Sequence, residues 1–196
     1  IESRGGTPIV RVWDDQPQTI GRVLDAGAMG VVVPHVSTVD QAQSIADSCR
    51  YPPLGRRSMG GGRARMTDED YPNWANDEVV VIPQIEDREG IENAEAIVSL
   101  EGIDIGFLGP SDLAHSYGVA HEGIHIEHER VQTAFDKVAA ATAKHCKAMG
   151  TAVGPGESMR GVATKGGRWF NCSHELGALT AGYRDALQTT IAITGI

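Results

Sequence analysis

The stretch VVVIPQIEDREGIENAEAIVSLEGIDIGFLGPSD, residues 79–112, decides the fold. It holds two apolar runs, 79–85 and 103–108, separated by a segment, 91–99, with helical spacing. Apolar runs alternating with helical segments predict βαβ units of a parallel sheet. Each run closes on an acid: Glu86 directly after the first, Asp112 just past the second. Parallel strands all point one way, so acids past the ends of consecutive strands share the carboxyl-end face of the sheet. That face carries the chemistry of barrels and open α/β sheets. Two carboxylates there suit a hard divalent cation, with water and substrate completing its shell.

The same alternation extends outward. Upstream, 8–12 and 30–36 read as strands, and 19–26 and 39–49 as helices, with Gly27 as a stop signal and Thr38 as an N-cap. The run GVVVPHV is too apolar to be half exposed, so both its faces are expected to be covered. Downstream, 130–149 reads as a long Ala-rich helix stopped at Gly150. Strands follow at 151–153 and 169–172, and helices at 157–164 and 176–193. Two stretches, 50–76 and 109–128, read as irregular. The count is six strands and six helices in one domain, with no linker. A closed (β/α)8 barrel runs to ~250 residues and eight units. Because the sequence opens inside a loop without Met, the expectation is a barrel lacking its first two β/α units, rather than an open sheet.

Composition narrows the function. The chain has 196 residues, 41% of them hydrophobic, and a formal charge of 17 − 26 = −9. An acidic chain is a poor nucleic-acid partner, although a local arginine or a metal still permits an anionic substrate. Cys49, Cys146 and Cys172 are widely spaced and lack a CxxC pattern, as in a reduced cytoplasmic protein. No apolar stretch approaches the ~20 residues of a membrane span.

PQIED at 83–87 together with GPSDLA at 109–114 resembles the HpcH/HpaI family of metal-dependent pyruvate aldolases. IVRV…D at 9–14, VLDAGAMGVVVPHV at 23–36 and RYPPLGRRS at 50–58 support the resemblance. It implies a (β/α)8 TIM barrel of the phosphoenolpyruvate/pyruvate type, assembled as a homo-oligomer, commonly a hexamer of dimers that exchange their last helix. It implies Glu86 and Asp112 as ligands to Mg²⁺ or Mn²⁺, with Co²⁺ a third candidate. Gln84 would lie near the bound oxo acid, backbone N–H groups of Ser111 and Asp112 would cradle its carboxylate, and Arg11 would face the ketone oxygen. Asp25 matches an acid that orients a catalytic histidine. That histidine sits in a D-x-E-H segment, which this sequence lacks; His35 belongs to a different strand.

The implied reaction is cleavage of a 4-hydroxy-2-oxo acid to pyruvate and an aldehyde through a pyruvate enolate stabilised at a divalent cation. Macrophomate synthase-like oxaloacetate decarboxylation and citrate-lyase-beta-like acyl-CoA cleavage use related chemistry. For the latter, the arginines between Arg56 and Arg65 offer a basic groove. A Schiff-base aldolase is disfavoured, since no lysine stands at a strand end. A non-catalytic assembly barrel is the remaining class.

Each residue also has a plainer reading. Glu86 and Asp112 would cap helices, Arg11 would form a surface ion pair, and Asp25 would be a helix-end acid. His121-Glu122-Gly123-Ile124-His125 matches the zinc-protease pattern, but Gly118 and Gly123 interrupt any helix and a solvated loop is expected. Gly60-Gly61-Gly62 with Arg63 and Arg65 lacks the Lys-Ser/Thr of a phosphate loop and reads as a lid or subunit contact. His174 follows the last strand, either at the site mouth or on the surface.

Overall fold

The computed structural model describes residues 1–123 and 125–195. Its strands are β1 (Ile9–Arg11), β2 (Gly30–Val33), β3 (Val80–Ile85), β4 (Ile105–Leu108), β5 (Ala148–Ala152) and β6 (Gly167–Asn171). Each pairs in parallel with the next in sequence, giving a curled half-barrel of order β1-β2-β3-β4-β5-β6. The connecting helices are α1 (Pro17–Asp25), α2 (Val39–Cys49), α3 (Arg63–Thr67), α4 (Tyr71–Glu78), α5 (Arg88–Ser99), α6 (Pro110–Tyr117), α7 (Glu129–Lys144) and α8 (Glu157–Thr164); α9 (Glu175–Thr194) follows β6.

Alternation along the strands sorts side chains to the two faces of the sheet. Val31, Val33, Val81, Ile85, Leu108 and Met149 enter the main core, with Leu24, Ile45, Ile97, Leu113 and Phe135 from the helices. On the concave face, Val32, Ile82, Ile105 and Phe107 form a second cluster, flanked by Ile9 and Trp169. The central strand β2 is buried on both faces, as expected of GVVVPHV: all four of its residues are buried, whereas the edge strands β1 and β6 are partly exposed.

Three sequence expectations are corrected. Residues 109–128 are not wholly irregular, because α6 starts there with Pro110 at its first position. Proline is tolerated at that position, since the first N–H groups of a helix have no intrahelical acceptor. Residues 50–76 contain α3 and the start of α4, the latter again with a proline in its first turn. The long helix does not reach Met149. It ends at Lys144, with Cys146 left-handed at φ 56°, Cys146 N–H donating to Ala143 O (3.2 Å) and Lys147 N–H to Thr142 O (2.9 Å). This is a Schellman closure carrying cysteine where glycine is usual. Met149 and Gly150 consequently lie in β5.

Candidate active site

The register of β3 on β4 places Gln84 opposite Phe107 and Ile85 opposite Leu108. The acids that follow each strand therefore emerge at the same end of the sheet. Glu86 is 1% exposed. It does not cap α5: that task falls to Asp87, which accepts from Gly90 N–H at 2.7 Å and from the Ser37 hydroxyl at 2.5 Å. Glu86 is left to face inward. One of its oxygens accepts from the His35 backbone N–H (2.9 Å) and lies 3.2 Å from His35 Nδ1. The other accepts from the Gln84 amide. A carboxylate oxygen of Asp112 and a ring nitrogen of His35 lie with a Glu86 oxygen in one group, all within 4.8 Å of one another. Burial pushes the Glu86 carboxyl above its ordinary range, the His35 contacts pull it back, and the neighbouring Asp112 charge adds to the rise.

Gln84 connects this group to Arg11. Its carbonyl oxygen accepts from Arg11 Nε at 3.1 Å while its amide nitrogen faces Glu86. Only this amide orientation satisfies both neighbours, since the flipped one would set NH₂ against a guanidinium and oxygen against a carboxylate. Gly109 keeps the space clear: a Cβ there would stand 2.8 Å from the Glu86 Cβ and 2.9 Å from Gln84 Nε2. At the start of α6, Gly109 N–H donates to Ile85 O and Leu113 N–H to Gly109 O, and Pro110 has no N–H. Helix geometry leaves the N–H groups of Ser111 and Asp112 without an intrahelical acceptor, beside the acids. Arg11 and Gln84 also border a cavity of about 450 Å³ on the concave face, walled by Ile9, Val32, Phe107 and Trp169.

The structure thus brings together Arg11, Gln84, Glu86, Ser111 and Asp112. It does not bring Asp25 to them within this chain. Asp25 ends α1, which returns from the carboxyl to the amino ends of the strands, and its carboxylate accepts from the buried Arg57 at 2.9 Å. The residues of the RYPPLGRRS stretch lie at that same amino end, because α2 carries the chain back there. The triple glycine is accordingly neither a lid over the acids nor a groove beside them. A Cβ on Gly60 or Gly62 would stand 2.6 Å from Asp25 side-chain atoms, so these glycines admit a close approach of backbone to Asp25. His125 begins a 3-10 turn, and its ring contacts the Ser111 hydroxyl (3.1 Å) and the Ala120 carbonyl (2.7 Å). Ile124 of the zinc-protease match lies outside the described residues. His174 caps α9, accepting from Gly177 N–H at 3.0 Å.

His35 is the site residue that the sequence reading missed. The apolar run reads as a strand through Val36, which places His35 inside it; β2 ends at Val33, so His35 stands past a strand end as Glu86 does. Its left-handed backbone, φ 54°, turns the ring toward Glu86.

These features define the class: an α/β half-barrel of parallel strands with a buried and an exposed acid, an arginine and two N–H groups free of helical acceptors gathered at its carboxyl end. The chain belongs to the HpcH/HpaI aldolase/citrate lyase family, whose sequence model matches residues 2–179. It is 39% identical over 128 residues to a 2-keto-3-deoxy-L-rhamnonate aldolase of Klebsiella pneumoniae, covering 63% of this chain and 48% of that protein. It is 40% identical over 124 residues to a hydroxypyruvate/pyruvate aldolase of Chromohalobacter salexigens, covering 61% and 49%. The alignments thus span about half the length of these two curated relatives. A solved HpcH/HpaI aldolase/citrate lyase family protein from Burkholderia cenocepacia superposes with a TM-score of 0.85 at 34% identity, covering 94% of this chain and 73% of the other. No helix among the described residues is long and apolar enough to cross a membrane.

Proposed function

We propose that this protein is a divalent-metal-dependent carbon–carbon lyase that cleaves a 4-hydroxy-2-oxo acid to pyruvate and an aldehyde. The observation that carries this reading is the convergence of Glu86 and Asp112 past the ends of β3 and β4. The aldolase names of the relatives from Klebsiella and Chromohalobacter support it.

The donor set fits a hard cation: carboxylate oxygens of Glu86 and Asp112 lie within 4.8 Å of one another, and one of the acids is buried with no arginine or lysine paired to it among the described residues. Glu86 and Asp112 would hold Mg²⁺, Mn²⁺ or Co²⁺. When bound, the ion supplies Lewis-acid stabilisation of the negative charge that develops on the 2-oxo oxygen. Ser111 and Asp112 N–H groups bind the substrate carboxylate at the start of α6. Arg11, held by Gln84, adds a fixed positive charge where the oxyanion forms; one such donor contributes ~3–4 kcal/mol. Cleavage breaks the C3–C4 bond, leaving its electron pair on C3, delocalised onto the 2-oxo oxygen. The C4 hydroxyl loses its proton as it becomes the aldehyde, and C3 takes up a proton to give pyruvate.

The six strands are read as part of a (β/α)8 barrel domain. Neither outer edge, on β1 or β6, has a strand partner among the described residues, and Arg11 and Trp169 of those two strands border the same cavity. A homo-oligomer, a hexamer by the family resemblance, is supported by α9. None of its residues is buried, and Leu176, Leu179, Tyr183, Leu187 and Ile191 recur at steps of three or four. Three free cysteines support a reducing, cytoplasmic location.

The test is exchange of pyruvate methyl protons with D₂O, followed by NMR after the metal is chelated and removed. Exchange is expected with Mg²⁺, and its loss on adding EDTA or in Glu86→Gln. Absence of exchange with Mg²⁺, Mn²⁺ and Co²⁺ alike would overturn the reading.

A further inference from the structure

We infer that His35 is a third protein donor to the cation, and that its imidazole makes the site prefer later first-row metals over Mg²⁺. This rests on the reading of Glu86 and Asp112 as ligands and extends it to metal selectivity. Three consecutive strand ends supply the donors: His35 after β2, Glu86 after β3 and Asp112 after β4.

The geometry of His35 is the argument. Its side chain is 66% exposed, so packing does not fix the ring. The backbone is left-handed, which is uncommon for a residue with a side chain and is retained where surrounding contacts enforce it. The enforcing contact is the bond from its own N–H to Glu86 at 2.9 Å. That bond already satisfies the Glu86 oxygen, so the ring nitrogen 3.2 Å from the same oxygen is not needed to solvate the buried acid. Adjacent ligands of an octahedral ion at 2.1 Å stand about 3.0 Å apart. The His35–Glu86 separation is close to that edge, and the whole group needs only a small contraction from its 4.8 Å limit to share one ion.

The consequence follows from donor chemistry. Two carboxylates and water suit Mg²⁺ and Mn²⁺ and discriminate weakly, whereas imidazole favours Co²⁺, Ni²⁺ and Zn²⁺ in the Irving–Williams order. A nitrogen in the first coordination sphere therefore shifts selectivity without changing the acids.

The experiment compares wild type with His35→Asn and His35→Gly in the full-length protein. Both replacements accept a left-handed backbone and keep the N–H that Glu86 accepts. Calorimetric titrations with Mg²⁺ and Co²⁺ give affinities, and pulsed EPR of the Mn²⁺-loaded protein detects coupling to a histidine nitrogen. Expected is a loss of Co²⁺ affinity of about tenfold or more, Mg²⁺ affinity changed by less than about threefold, and nitrogen coupling in the wild type alone. Equal losses for both ions, no loss for either, or no nitrogen coupling in the wild type would overturn the role of His35 while leaving Glu86 and Asp112 as ligands. Failure of the wild type to bind Mg²⁺, Mn²⁺ or Co²⁺ would overturn both readings.

Discussion

Replacing Asp25 separates a structural acid from a catalytic one. Arg57 is 1% exposed at its side chain, whereas its partner Asp25 is 26% exposed. The guanidinium donates to Asp25 (2.9 Å) and to the Tyr71 hydroxyl (2.8 Å), and it lies over the Tyr51 and Tyr71 rings, 4.6 and 5.2 Å from their centroids. Its Nε has no hydrogen-bond partner among the described residues. Asp25→Ala therefore leaves a buried cation without its counter-ion. Breaking a fully buried pair costs ~3–5 kcal/mol, but water reaches the exposed quarter of Asp25, so a loss of about 2–3 kcal/mol is expected. For a domain of this size that lowers Tm by roughly 4–12 °C. Thermal melts followed by circular dichroism measure it, and turnover per folded molecule should stay within about threefold of wild type. Arg57→Met added to Asp25→Ala should recover part of the loss, since the stranded charge is gone. An unchanged Tm with turnover abolished would refute this assignment and return Asp25 to the catalytic machinery.

Gln84→Leu removes the link between Arg11 and Glu86 while keeping a buried side chain of similar length. It should lower kcat by about 10- to 100-fold with Tm nearly unchanged, as loss of an oriented charge does; steady-state kinetics beside a melting curve checks both. Burial pushes the Cys49 thiol up to about 12, so native protein should react with a thiol reagent at Cys146 and Cys172 but not at Cys49. The folded state holds the Cys49 proton more tightly than the unfolded chain, so this contribution to stability is present below about pH 9 and is lost as pH rises toward 12. The stability gap between wild type and Cys49→Ala should therefore narrow across that window in urea titrations. Leu179→Glu with Leu187→Glu places charges in the exposed apolar stripe of α9 and should convert an oligomer to monomer in light scattering; an unchanged mass would remove α9 from the interface.

The centre of the fold was legible because its signals are local. Residues 79–112 carry two apolar runs and an intervening helical period, and the structure builds β3, α5 and β4 from them. The convergence of Glu86 and Asp112 was legible for the same reason: parallel strands fix which end an acid reaches. What escaped was set by backbone conformation that residue type does not announce. The end of α7 rests on a left-handed cysteine, and α6 hides behind Gly109-Pro110. His35 was not legible because the apolar run reads as a strand through Val36 while β2 ends at Val33, and its turn toward Glu86 depends on a positive φ. The resemblance implies a histidine-orienting role for Asp25, and within this chain its carboxylate contacts Arg57, 32 residues on in sequence.

These residues divide the molecule by pole. At the amino ends of the strands, Arg57 donates to Asp25 and Tyr71 and lies over the Tyr51 ring, holding α1, α4 and the segment after α2 together, although Arg57 Nε and the Tyr51 hydroxyl have no partner among the described residues. At the carboxyl ends the polar groups are only partly satisfied: Glu86 is buried beside another acid, two N–H groups at the start of α6 lack helical acceptors, and Arg11 is held by a single side-chain bond through Nε. A fold selected for stability alone would pair or remove such groups, since a buried acid beside a second carboxylate, here the exposed Asp112, destabilises the native state. Their persistence at one pole has a physical explanation if a cation and an oxo acid complete them there. Ligand binding would then stabilise the protein by mass action, with Tm rising as Mg²⁺ and pyruvate are added together and not in Glu86→Gln. A Tm indifferent to both would mean that this pole carries its unpaired polar groups for some reason other than binding them.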